Sequence, residues 1–444
     1  MLLLMPFQGK QEQSIYNKFY FMINSLQFRF NLKPLIILLR IVTGAVFIFS
    51  GFVKGIDLQG SAIKFDDYFV AFGMDFLIPA SLPLAIFLVS TEFIIGISLL
   101  FGFRTYWGTW GVLIFMSAFT PLTLILALFN PVSDCGCFGD AIVLTNWQTF
   151  WKNFVLMIMV LIIFYHRKKY KPVYPAITEW SILVVIFVLF TGFSLYNYRH
   201  LPMIDFRPYN TGTNIPEKMY IPANAPVDEY ETILTYEKDG IRKEFDLENY
   251  PWQDSTWSFV EQKSILIKEG YKPPIHGFII STQDGNGITD LVLSDEGYSF
   301  ILVSSDLAKA NKEALQKLDT LSLYCNQTGI KFYSLSSSIY SEIEQINTSQ
   351  QLSLDFYITD ETTLKTIIRS NPGLLLLKEG VILAKWHYND LPEIEELSQP
   401  VLSMVIKKAR KRHERTSAII SILVLFLGVS MFEITRSILI KLKR

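Results

Sequence analysis

Residues 134–140 read Asp134-Cys135-Gly136-Cys137-Phe138-Gly139-Asp140, a polar break between two apolar runs at 107–130 and 147–166. Runs of about 20 apolar residues, rising 1.5 Å per residue, cross a hydrocarbon core of about 30 Å. The flanking runs therefore read as membrane spans and the break as a loop at the membrane surface. Two of the chain's three cysteines lie in that loop. Thiols one residue apart can close a disulfide only if the chain turns between them, because their Cα atoms must come within about 7 Å. Gly136 permits the turn. A bond closed this way is strained and exposed, the kind that is labile or catalytic. The alternatives are two loop thiols without chemistry, or a zinc site, for which no second Cys/His cluster offers the remaining ligands.

Outward from the loop, the composition agrees with a membrane protein. Half of the 444 residues are hydrophobic, only 18% are charged, and mean hydropathy is +0.30. The net charge of −1 hides a segregation of basic residues to the flanks of the apolar runs, and nothing in it points to nucleic acid. Five runs fall before residue 200, at 34–53, 80–103, 107–130, 147–166 and 177–198, and a sixth at 416–435. Thr145 and Gln148 stand at capping-box spacing before the fourth. The first run has span length and no small-residue cleavage site, so it reads as an anchor and not as a signal peptide. Residues 1–33 form a separate N-terminal segment, and Met22 is an alternative start.

Arg104 and Arg167-Lys168-Lys169-Tyr170-Lys171 share one side with the N-terminal segment if the spans alternate, which makes that side cytoplasmic. The expected location is a bacterial inner (cytoplasmic) membrane with both termini inside. The Cys135/Cys137 loop and residues from about 200 to 415 then face the periplasm. The basic run from Lys407 to Arg415 disagrees with this arrangement, and its alternative use is to lie on anionic headgroups.

Ionisable side chains inside a bilayer are costly and default to functional hypotheses. Arg40 in span one and Glu92 in span two lie at depths that long side chains can bridge, so an Arg40–Glu92 ion pair is expected. It serves either as structural glue or in a proton or quinone role. Lys54 ends span one on the side of the cysteine loop. It is a candidate stabiliser of a Cys135 or Cys137 thiolate, or a plain interfacial anchor.

The stretch from Arg40 to Lys54, R-I-V-T-G-A-V-F-I-F-S-G-F-V-K, followed by Glu92 with Gly96 and Gly102 and then by C-G-C-F-G-D, resembles the four-helix DoxX family and its MauE-like relatives. These redox-associated membrane proteins include members implicated in making disulfides in exported enzymes. The resemblance covers 34–166 and implies a four-span bundle with Cys135 and Cys137 as an outward-facing dithiol.

After the fifth span comes a Pro/Gly/Asn-rich linker, and Asp239-Gly240 between two β-rich runs marks a hairpin, so 199–274 reads as a linker and small β unit. From 275 to 400 strands alternate with helices, the pattern of an α/β sheet. A second hairpin is expected across Asp284-Gly285-Asn286-Gly287, followed by a strand at 300–304, a helix at 308–325 and a last hairpin across 378–380. This part resembles the thioredoxin fold in its peroxiredoxin-like or TlpA-like form. The resemblance implies a cis proline at Pro372, within Asn371-Pro372-Gly373. It also puts a Cys-x-x-Cys where this chain reads Ser304-Ser305-Asp306-Leu307, so the resemblance implies binding and not dithiol exchange. Cys325 reads as a buried small hydrophobe.

The fold expected is thus a membrane α-helical bundle, a four-helix DoxX-like core plus two further spans, carrying an extracytoplasmic α/β thioredoxin-like domain. The leading functional expectation is thiol–disulfide or related redox handling at Cys135 and Cys137, with the lipid bilayer as environment and a periplasmic protein as partner. A quinone is the natural acceptor if electrons leave through the membrane. The rivals are a non-enzymatic scaffold with a degenerate thioredoxin fold, and a small transporter using Arg40 and Glu92. No specific phosphate loop or metalloprotease helix is present, and the histidines have no ligand spacing.

Overall fold

The computed structural model describes residues 33–393 except 171, 173 and 269, together with isolated positions between 403 and 418. The expected N-terminal segment, the sixth span at 416–435 and the sidedness of both termini lie outside the described residues.

Five helices are long and apolar enough to cross a membrane. They are α1 (Lys33–Ile56), α3 (Ser81–Phe101), α4 (Thr105–Phe129), α5 (Asn146–Tyr165) and α6 (Ala176–Arg199), with a shorter α2 (Leu58–Ala71) between the first two. The five helices coincide with the five described apolar runs, because a segment of that length and polarity has no other stable state in lipid than a helix. The expected capping box opens α5: the Thr145 hydroxyl accepts from the Gln148 N–H at 3.2 Å, and Gln148 Oε1 accepts from the Thr145 N–H at 3.0 Å. Helix α2 escapes a search for spans because it is short and amphipathic. Asp57 caps it, accepting from the Gly60 N–H at 2.8 Å, and Leu58 and Phe69 point inward.

Helices α1 and α3 approach closely through glycines, as membrane helices do where no hydrophobic effect drives them together. A methyl group added at Gly44 would come within 2.7 Å of the Leu100 nitrogen, and one at Gly96 within 2.6 Å of the Ile48 nitrogen. These contacts set the antiparallel register, with Gly51 against Phe93 and Arg40 beside Gly102. Helix α6 closes the bundle from the other side, stacking Phe190 on Phe93 with ring centroids 3.9 Å apart.

Beyond α6, residues 201–219 fold back under the outer module, with a short α7 (Ile215–Met219). Strands β1 (Glu229–Lys238), β2 (Ile241–Phe245) and β3 (Ser258–Lys268) form an antiparallel sheet in the order β2-β1-β3. Its first two strands are the hairpin expected at Asp239-Gly240. The second hairpin closes at its turn but does not extend. Ser281 and Gly287 are bridged, the Thr282 and Ile288 N–H groups donate to the Asn286 and Ile280 carbonyls at 2.9 and 2.8 Å, and then residues 289–293 coil into α8 (Thr289–Leu293), burying Val292 and Leu293. A run of five residues is too short for periodicity to separate a buried strand from a buried turn of helix.

A five-stranded sheet follows in the order β6-β5-β4-β7-β8. Its strands are β4 (Tyr298–Ser304), β5 (Lys331–Ser336), β6 (Phe356–Ile358), β7 (Gly373–Lys378) and β8 (Val381–His387); the first three run parallel and the last two antiparallel. Helices α9 (Lys312–Thr328), α10 (Tyr340–Gln350) and α11 (Glu361–Ile367) connect them. Alternate residues feed two cores, so the strands carry apolar residues on both faces. Phe300, Leu302 and Leu376 pack with Leu315, Leu318 and Cys325 of α9, whereas Ile301, Val303 and Leu375 pack with Leu364 and Ile367 of α11 and with Tyr209 and Ile215.

The glycine contacts make a prediction. Gly44→Leu or Gly96→Leu inserts side chains where backbones touch and should cost about 1–3 kcal/mol, read as a lower melting temperature of the detergent-solubilised protein. Gly192→Ala, in α6 where nothing lies within 4 Å, should leave that temperature unchanged or raise it.

Candidate functional site

The loop between α4 and α5 is held from all sides. Its base is closed by Asn146, whose Nδ2 donates to Asn130 Oδ1 at 2.7 Å and to the Val132 carbonyl at 2.8 Å. Asp134 accepts from the Gly136 N–H at 2.8 Å and from Lys64 of α2 at 2.9 Å. Tyr68 of α2 donates to the Cys135 carbonyl at 2.8 Å, and Ser50 of α1 to the Cys137 carbonyl at 2.6 Å. Gly136 turns between them at φ +65°, where a side chain would be strained. The result brings the Cys135 and Cys137 sulfurs 3.1 Å apart.

The two thiols are not equivalent. Cys135 is buried and Cys137 half-buried. The Cys135 S–H donates to Cys137 and stabilises its thiolate; burial opposes this, while the cations of Lys152 and Lys54 assist, and Cys137 is pulled down to about 6. The same hydrogen bond, with burial, pushes Cys135 up. Lys152 sits over the Phe138 ring, 4.2 Å from its centroid.

Below the loop, Lys54 of α1 forms a buried ion pair with Glu92 of α3. Arg40 is not its partner. Its guanidinium lies 5.5 Å from the Tyr170 ring at the far end of the bundle. Depths counted from the span ends would have left Arg40 and Glu92 within side-chain reach, but the glycine register sets Arg40 beside Gly102 and Phe93, next to Glu92, beside Gly51, roughly 17 Å apart along α1 at 1.5 Å per residue. Lys54, Glu92 and both cysteines line one cavity of about 330 Å³.

The outer module closes this cavity from above, lining it with Thr362, Lys365, Thr366 and Arg369 and not with Pro372. Arg369, just after α11, joins the outer module to the loop, while His200 with Asp390 at 2.9 Å and Asn389 donating to the Arg199 carbonyl at 2.7 Å join it to the end of α6. Its Nε donates to Asp57 at 2.9 Å, its Nη2 to Asp140 at 3.1 Å and its Nη1 to the Lys365 carbonyl at 2.8 Å. Burial works against the Asp57 carboxylate, yet Arg369 and Arg207 hold it below the usual carboxylate range. At Asp140 burial prevails over Arg369, and its carboxyl is raised.

Two further sets of bonds orient Arg369. The Asn371–Pro372 peptide bond is cis, and the Asn371 side chain accepts from Ser304 Oγ at 2.7 Å and donates to the Asp306 carbonyl at 2.6 Å. Gly373 is required here because a Cβ would meet Ile368 at 2.6 Å. Lys385 of β8, buried, donates to Asp205 at 2.8 Å, to the Tyr209 carbonyl at 3.0 Å and to the Ile367 carbonyl. Arg207 reaches the Thr366 carbonyl at 3.1 Å. The segment after α6 is thereby strapped to the end of α11. Burial opposes the Asp205 carboxylate, but Lys385 and Arg207 bring it to about 2.

Residues 32–166 match the family model of methylamine utilisation protein MauE. Over this stretch, which is under a third of the chain, the sequence is similar to that protein. The match takes in α1 to α5 with Arg40, Lys54, Glu92, Cys135 and Cys137. Residues 230–269, which hold β1 to β3, match a domain of unknown function (DUF8463). No curated protein and no solved structure matches the chain.

The fold thus brings Cys135, Cys137, Lys54 and Glu92 together, leaves Arg40 at the opposite end of the bundle, and sets Asn371, Pro372 and Gly373 behind Arg369. Sequence reasoning missed Asp57, Tyr68, Lys152 and Arg369. Asp140, inside the cysteine motif, was the one visible sign of the interface.

Two outcomes test this geometry. Because the folded Cys137 titrates at about 6, below an ordinary thiol, its thiolate is present above that pH and lost below it. Its iodoacetamide rate, followed by residue-resolved mass spectrometry, should be near its plateau at pH 7.5 and fall as pH drops through 6, with Lys152→Gln moving the midpoint upward. Arg369→Gln removes the cation from between two carboxylates, one of them well buried, and should cost about 3 kcal/mol. Faster hydrogen exchange in α2 and in residues 134–140 would report the parted halves.

Proposed function

We propose that this protein handles thiol–disulfide chemistry on the periplasmic face of a bacterial cytoplasmic membrane, with Cys137 as nucleophile and Cys135 as resolving thiol. The observation that carries this reading is the pair of sulfurs 3.1 Å apart in a loop fixed by α1, α2 and α5. The MauE match supports a membrane protein in redox or methylamine-utilisation processes. Arg104 and Arg167–Lys169 stand at the ends of α4 and α5 remote from the dithiol loop, which supports the periplasmic assignment.

Exchange follows from the acidity difference, since the thiolate is the attacking species. The Cys137 thiolate attacks a partner disulfide, forming a mixed disulfide as the partner's S–S bond breaks and its departing sulfur takes up a proton. Cys135 then gives up its proton and attacks the Cys137 sulfur, which closes the Cys135–Cys137 bond and frees the second partner sulfur as a thiol. Two electrons pass from the pair to the partner, and in reverse the oxidised pair makes a disulfide in a partner dithiol. Lys54 favours the Cys137 thiolate, and Glu92 holds Lys54 in place.

The outer module is read as thioredoxin-like. The sheet order, the parallel β4-β5-β6 with antiparallel β7-β8, and the cis Asn371–Pro372 bond before β7 support it. Residues 304–307, where the Cys-x-x-Cys of that fold belongs, hold no thiol, so the module's task is docking: it carries Arg369 onto the dithiol loop and presents a periplasmic protein partner. A transporter built on Arg40 and Glu92 finds no support, since the two are far apart.

Cys135→Ser leaves the nucleophile without its resolving thiol and should accumulate a mixed disulfide with a periplasmic protein, visible on non-reducing gels. Cys137→Ser should accumulate much less. If neither variant changes the redox state of exported proteins, the exchange reading fails.

A further inference from the structure

The cavity at the dithiol has two chemically different parts. Toward the outer module it is polar, with Asp57, Lys64, Asp134 and Arg369. Toward the bundle it is mainly apolar, lined by Phe47, Val53, Phe115, Met116, Phe119 and Leu156, with Asn153, which donates to Thr123 at 3.3 Å, as the polar exception. Phe47 lies nine residues before the end of α1, and Phe119 ten before the end of α4. At 1.5 Å per residue the apolar chamber reaches roughly 14 Å down from the dithiol end, about half the depth of a hydrocarbon core. Leu88 of α3 and Phe115, Phe119 and Leu122 of α4 line it and are only half-buried, so on that side the wall toward lipid is one side chain thick. At the boundary between the two parts stand Cys137 and the Lys54–Glu92 pair.

A protein partner has no use for an apolar chamber at that depth. A small, flat, lipid-soluble molecule does, and about 330 Å³ lies in the range of small-molecule sites. We infer that this chamber binds the ring of a membrane quinone, with Lys54 and Ser50 as polar groups at its rim and the sulfur of Cys137 within its wall. The inference rests on the exchange reading above and gives the pair its direction. As the Cys135–Cys137 bond closes, the Cys137 thiolate and the Cys135 thiol release two electrons and the Cys135 proton; the quinone takes up the two electrons, that proton and a second proton from water, and leaves as the hydroquinone. The oxidised pair is then ready to accept electrons from a partner dithiol, so that protein thiols are served from the polar side and the acceptor from the lipid side. Glu92, ion-paired beside the sulfurs, is placed to take one of the protons.

The test uses full-length protein in lipid nanodiscs, reduced and freed of reductant, with decylubiquinone as probe. Free Cys135 and Cys137 should disappear together with one hydroquinone formed per pair. Met116→Trp and Leu122→Trp, which fill the chamber without touching the thiols, should slow this at least tenfold while leaving exchange with a model peptide disulfide and the Cys137 alkylation profile unchanged. Should either variant misfold, photolabelling of the wild type with an azidoquinone decides: label on the chamber-lining segments of α1 and α4, displaced by excess decylubiquinone, supports the site. Label spread over the lipid-facing surfaces and not displaced overturns it, as does oxidation of the tryptophan variants at the wild-type rate. A wild type that exchanges with the peptide disulfide but keeps its thiols in decylubiquinone overturns the quinone alone, whereas one that does neither overturns the exchange reading as well.

Discussion

The architecture depends on one guanidinium shared by two carboxylates across the boundary between halves. Arg369 is almost wholly withdrawn from water, as is most of Asp57. Charges so placed are costly unless each finds partners of good geometry, and a planar fork of donors suits two carboxylates at once in a way an ammonium does not. Asp57 is at the same time the cap of α2, so the bridge fixes the outer module to the helix that carries Lys64 and Tyr68. Those two hold Asp134 and Cys135. The position of the sulfurs is thereby tied, through one cap residue, to the end of α11.

A second buried pair works at right angles to the first. Lys54 and Glu92 face each other because glycines let α1 and α3 close to backbone contact and so leave no freedom of register. A slide of one helical turn would carry Glu92 about 5.4 Å along α1, past Lys54, and leave two unpaired charges in the bundle. The glycine contacts and the ion pair therefore specify the same register by different physics, one steric and one electrostatic. Lys54 is then retained below Cys137 and withheld from the headgroup region toward which a free lysine would snorkel.

Much of this was legible in the residues. Apolar runs of span length admit few alternatives, Gly136 between two cysteines announces a turn, and the strands of the five-stranded sheet stand out because both faces are buried. The capping box of α5 and the Asp239-Gly240 hairpin follow from local chemistry alone. What stayed hidden depends on partners distant in the chain. Arg369 and Asp57 are 312 positions apart, and neither has a neighbour that marks it as buried. The register of α1 on α3 rests on which glycines meet, which counting residues from assumed span ends misplaces by nearly two turns. Helix α2 is too polar to register as a span and too short to show a clean stripe, and α8 coils where turn residues favoured a hairpin.

The hydrogen bonds around the end of β4 and the proline loop show how the outer module supports the bridge. On the thioredoxin-like reading, the end of β4 and the proline loop would flank a reactive pair, and polar groups there would serve the chemistry. Here Ser304 and Asp306 spend their hydrogen bonds on Asn371, and Ser370 spends its own on the Pro372 carbonyl and the Tyr388 N–H. Every one of those bonds stiffens the turn from which Arg369 extends. A loop whose neighbours are satisfied internally has little left to offer a substrate, but it is well suited to hold one long side chain in a single direction. The end of β4 and the proline loop are the rigid mount of the bridge, and the bridge in turn holds the loop that carries Cys135 and Cys137.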